Sequence, residues 1–142
     1  LDDFPLLWRW TSPSRAVLPA AVLGQIRPLG AEAAARLAPD ARDRCRATVT
    51  AGWSTVIAAE SERYAPVRVR LQALPVEPAT HVVVSWDQAT AVVVPWGVFV
   101  DYWTDFCYPS SDDVTVWVPA GEWTLCYHHF GVFEFGPAPG AA

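Results

Sequence analysis

The chain has no lysine, no asparagine and no methionine among its 142 residues. Arginine is its only strong base, and the abundant Ala, Val and Pro beside it point to a GC-rich coding bias and a bacterial source. Long apolar runs are missing too. The longest, in "HVVVSW" and "AVVVPW", fall far short of the roughly 20 residues of a membrane-spanning helix, so no membrane partner is implied. The first residues, "LDDFPLLWRW", carry acids where a secretory signal carries positive charge, so no signal is read there, and one already removed would leave the same start. Cysteine is scarce: Cys45, Cys107 and Cys126 make an odd number with no C-x-x-C spacing. A disulfide framework asks for an even count, so reduced, cytosolic thiols and a cytoplasmic location are expected, with Cys45 as plain helical core.

Signature motifs are absent as well. There is no Gly-rich phosphate loop, G-x-S-x-G elbow, H-E-x-x-H pair or EF-hand loop. Nucleotide-dependent and serine-hydrolase mechanisms therefore have no support, and no cofactor is implied.

The most informative absence is one of charge. No Arg or Lys follows Arg70, yet eight acids do: Glu77, Asp87, Asp101, Asp105, Asp112, Asp113, Glu122 and Glu134. Ten arginines and seven acids up to Arg70 give +3, and the remainder is −8, which together make the net −5. Such a half repels phosphate backbones, which argues against nucleic acid, and attracts a basic protein surface or a divalent ion. A merely solvated acidic face is the plainer alternative.

What is present predicts an α+β domain over residues 1–136, with a disordered tail over 137–142. N-terminal helices should pack on a C-terminal antiparallel sheet of about five strands, with one crossing helix. Short helices are expected at "LPAAVLGQI" and "AEAAARLA", and a long one from Asp40 to Arg63. On the long one, Cys45, Val49, Trp53, Val56 and Ile57 share a face. "VRVRLQAL" alternates like a strand with one wet face. "VVVSW" and "VVVPW", joined by "DQAT", read as a hairpin. "GVFVDYWTDFCY" fits a helix crossing the sheet. "VTVWVP" and "EWTLCYHH" should pair around Ala120 and Gly121, with "VFEF" as a last short strand.

Candidate chemistry concentrates in "DYWTDFCYPSSDD" and "LCYHHF". A metal site could use Asp105, Asp112 and Asp113 with a histidine, but "SSDD" before a strand equally makes a turn. A hydrolase would use His128 or His129 with Cys107, Asp112 or Asp105. In a strand, however, His128 and His129 point to opposite faces and cannot easily chelate one ion. Of the eight tryptophans, Trp53, Trp86 and Trp96 suit a core, whereas Trp103, Trp117 and Trp123 stand among acids like interface anchors.

The segments "WGVFVDYWTDFCYPSSDDVTVW" and "GEWTLCYHHFGVFEFG" resemble a family of small uncharacterised bacterial proteins; no activity is implied by that likeness. In general character, compact, acidic and tryptophan-rich, the chain also resembles toxin-neutralising immunity proteins. The leading expectation is thus a binding protein that docks a basic partner through Asp101, Trp103, Asp105, Tyr108, Asp112 and Asp113. A small hydrolase and a non-catalytic oligomerisation module are the alternatives.

Overall fold

A computed structural model of the chain describes residues 3–50, 55–59 and 64–137. Trp53 and the tail beyond Pro137 lie outside the described residues. The architecture is α+β: a seven-stranded antiparallel sheet with helices on both faces. The strands are β1 (Arg27–Pro28), β2 (Thr55–Ala58), β3 (His81–Ser85), β4 (Ala91–Pro95), β5 (Val114–Trp117), β6 (Trp123–His128) and β7 (Val132–Pro137). Their spatial order is β1-β4-β3-β5-β6-β7-β2. The helices are α1 (Trp8–Thr11), α2 (Ala20–Leu23), α3 (Ala31–Thr50), α4 (Tyr64–Gln72), α5 (Trp96–Asp101) and α6 (Trp103–Phe106).

Strand alternation sorts the side chains between two cores. On one face Val82, Val84, Val92, Val94, Val116 and Leu125 meet Trp10, Trp96, Phe99, Trp103 and Phe106. On the other, Val83, Ala91 and Trp117 meet Ala34 and Ala41 of α3, with Leu29, Leu37 and Val93 packed around them. That second face turns polar toward the loops after β3 and β6, because its next residues are Ser85, Thr115, Cys126 and His128.

The Val-rich hairpin forms as expected, with Val83 opposite Val93. The helical crossing is α5 and α6. Three expectations are corrected. The sheet has seven strands rather than about five, since β1 and β2 are contributed from the N-terminal half. The long helix begins at Ala31, runs through Pro39 and stops at Thr50, so Val56 and Ile57 belong to edge strand β2. Tertiary packing overrides the proline's lost hydrogen bond here. "VRVRLQ" is helical: Pro66 is tolerated in the first turn of α4, and Val67 and Leu71, four residues apart, fill the core.

Ala120 holds a left-handed φ of 60° in the turn between β5 and β6, where the Gly121 N–H donates to the Val118 carbonyl. Ala120→Gly relieves that backbone strain and is expected to stabilise the fold by about 0.5 kcal/mol, after allowing for glycine's extra unfolded entropy. Urea unfolding with an unchanged m-value measures it.

Candidate functional site

Registers across three strand pairs build a polar row beneath α3. Ser85 lies opposite Thr115, Thr115 opposite Cys126, and Cys126 opposite Glu134. At the loop end of this row, Asp87 of the turn after β3, Asp113 just before β5 and His128 at the end of β6 line one cleft. With Ala38, Ala41, Arg42 and Cys45 of α3 as the opposite wall, Ser85, Asp87, Asp113, Thr115 and His128 line a cleft of about 300 Å³.

The wall is covalently fixed. Cys45 of α3 and Cys126 of β6 form a disulfide, with Cα atoms 5.7 Å apart. This corrects the expectation of reduced thiols: the odd count arises because Cys107 alone is free, and it is buried on the opposite face. Arg44, also buried, secures α3 beside the bridge. Its Nε donates to Asp40 at 2.9 Å, and Nη1 to the Gly121 carbonyl at 3.2 Å.

Two histidines stand at the loop end of β6, each beside a carboxylate. The His129 backbone N–H donates to Asp113 Oδ1 at 3.0 Å, and its ring Nδ1 lies 3.1 Å from the same oxygen. His128 Nε2 is 3.4 Å from Glu134 Oε1. Phe130, 65% exposed, stacks flat on His128 with ring centroids 5.2 Å apart. Partial burial of Asp113 works to raise its pKa, but the backbone and ring of His129 prevail and hold it below the usual carboxylate range.

The other sequence candidates lie elsewhere. Asp112 is 8% exposed and bound to buried Arg9, whose Nη2 is 3.1 Å from Oδ1. Its second oxygen accepts the Tyr108 N–H at 2.9 Å. Arg9 also lies 3.9 Å over the Tyr108 ring, which is half-buried. Trp103, 2% exposed, is core, as is Trp117. Burial, and secondarily the charge of Asp112, push the Cys107 thiol pKa well up, with Arg9 opposing, so it is no thiolate nucleophile. Asp101 is exposed at the end of α5. Asp105 is partly buried on α6, and that burial raises its carboxyl pKa.

The fold therefore brings together Asp113, His128 and His129, and leaves Cys107, Asp112 and Asp105 apart from them. Sequence reasoning missed Asp87, Arg42, Ser85 and Thr115. Asp87 was hidden in a turn, and the others carry no spacing signal. Among the described residues, no group of three or more His, Cys, Asp or Glu side chains could hold a metal ion, and no helix is long and apolar enough to cross a membrane.

Opposite pH effects follow from the two perturbed aspartates. Asp113's depressed value contributes stability above the unfolded pKa, and this is lost as pH falls through the folded one. Asp105's raised value does the reverse: its penalty at neutral pH lifts as pH falls through the folded pKa. At pH 7, Asp113→Asn is expected to lower Tm slightly and Asp105→Asn to raise it, as calorimetry of the two variants checks.

No family model matches the chain, and comparison with curated proteins and with solved structures yields no match either.

Proposed function

We propose that this is a binding protein that docks a basic partner protein, and that a toxin-neutralising immunity protein is its concrete form. The carrying observation is charge without compensation. Among the described residues, Glu77, Asp87, Asp101, Asp105 and Glu122 have no salt-bridge partner, and Asp105 is held partly buried at a cost to its ionised form. Only Asp112, of the acids after Arg70, is neutralised by an arginine there. A cationic surface would relieve the rest and speed encounter. Exposed Phe130, packed on His128 and His129 near Asp113, offers apolar contact. Asp112 and Trp103 serve the fold, which leaves Asp101, Asp105, Tyr108 and Asp113 as the docking residues.

The cytoplasmic placement loses its thiol argument, because the Cys45–Cys126 bridge fits an oxidising compartment. A second reading, hydrolysis with His129 as base oriented by Asp113, has their 3.1 Å contact in its favour. Against it, both side chains are more than half exposed, and no nucleophile is paired with the imidazole.

Capture by the tagged chain from a lysate of its source organism tests the docking reading. A basic protein should be retained at 0.1 M salt (about one Debye length of 10 Å) and released as salt rises. Replacing Asp101, Asp105 and Asp113 together by Asn should abolish that retention while far-UV circular dichroism stays unchanged. Retention unaffected by salt and by the three substitutions rules the reading out.

A further inference from the structure

The cleft beneath α3 holds chemistry that a flat acidic face does not need. We infer that it receives a single arginine or lysine side chain of the basic partner, with Asp87 and Asp113 taking the positive charge. The inference rests on the docking reading above and names the anchor of that complex.

Size points to one side chain. At about 300 Å³ the cleft lies at the lower end of small-ligand sites. Charge points to a cation. Asp87, in the turn after β3, and Asp113, just before β5, both line the cleft, and their like charges favour a cation between them. Among the described residues, Arg42 is the one Arg or Lys lining the cleft, and two aspartates outnumber it. Phosphate-bearing ligands would meet net negative charge.

Geometry selects an organic cation over a metal ion. The described His, Cys, Asp and Glu side chains form no group close enough to hold a metal, whereas a guanidinium carries five donors on a wide planar fork. Its aliphatic stem would lie along Ala38 and Ala41. The Ser85 hydroxyl donates to the Asp87 carbonyl, so its lone pairs remain to accept from the incoming N–H groups.

The test uses the whole chain, labelled with nitrogen-15, titrated with N-acetyl-arginine amide and, separately, with the uncharged N-acetyl-citrulline amide. The arginine probe should give saturable amide shifts centred on Gln88, Asp113, Thr115 and His128, and the citrulline probe none. Asp87→Asn with Asp113→Asn should weaken the arginine probe at least tenfold, and Arg42→Gln should tighten it by removing a competing cation. Far-UV circular dichroism of each variant confirms that the fold is kept. Absence of saturable shifts, or equal binding of the two probes, overturns the cleft anchor. That result leaves the docking reading to its own capture experiment, since a basic partner can still engage Asp101 and Asp105 outside the cleft.

Discussion

Cys45→Ala combined with Cys126→Ala is expected to destabilise the fold by about 4.5 kcal/mol, the chain-entropy value for a bridge spanning 81 residues. Net stabilities of such domains are about 5–15 kcal/mol, so the double variant should lie near the edge of folding. The cause lies mainly in the unfolded chain, where the bridge ties the one described helix packed on the polar face to strand β6. Equilibrium denaturation with and without a reductant measures the effect. Thiol titration gives an independent check: no reactive thiol in the native protein, one on denaturation, and three after reduction. Three thiols without reductant, or a loss below 1 kcal/mol, would contradict the bridged state.

Breaking the Arg9–Asp112 pair comes next in size. Asp112→Asn leaves the buried Arg9 guanidinium without its counter-charge and is expected to cost about 3–5 kcal/mol. The same carboxylate anchors the Tyr108 N–H, so the segment before β5 loosens together with α1. Arg9→Met with Asp112→Asn removes the stranded charge and should cost less than the sum of the two single variants, with a coupling of about 2 kcal/mol. Additive single losses under 1 kcal/mol each would show the pair to be energetically idle. Its burial is also why Asp112, attractive in sequence as an interface acid, serves the fold instead.

The contrast between these pairs and the hairpin explains what could be read in advance. Val82–Val84 and Val92–Val94 announce themselves because a short turn makes them local partners, and periodicity reports local order. The Cys45–Cys126 bridge and the Arg9–Asp112 pair join residues 81 and 103 positions apart, and no spacing rule reaches that far. "VRVR" misled because four residues fit either period, and only the core positions of Val67 and Leu71 decide between them. The helix through Pro39 needed packing information that a propensity argument lacks.

For the site, the sequence disclosed the inventory but not the assembly. Asp113, His128 and His129 were visible as chemically able residues. Their union with Asp87 depends on the registers of β3, β5 and β6, set by which valines and tryptophans fill the two cores. The charge asymmetry was legible by counting. Its partial cancellation by Arg9 was not.

On the proposed docking reading, unpaired carboxylates, Asp105 above all, await a cation from outside. Carbon-13 NMR titration of the Asp105 carboxyl, alone and with the captured partner bound, tests it most directly. The account expects a midpoint above that of an ordinary aspartate in the free chain, falling when the partner binds. A midpoint that stays where it was, or rises, contradicts it.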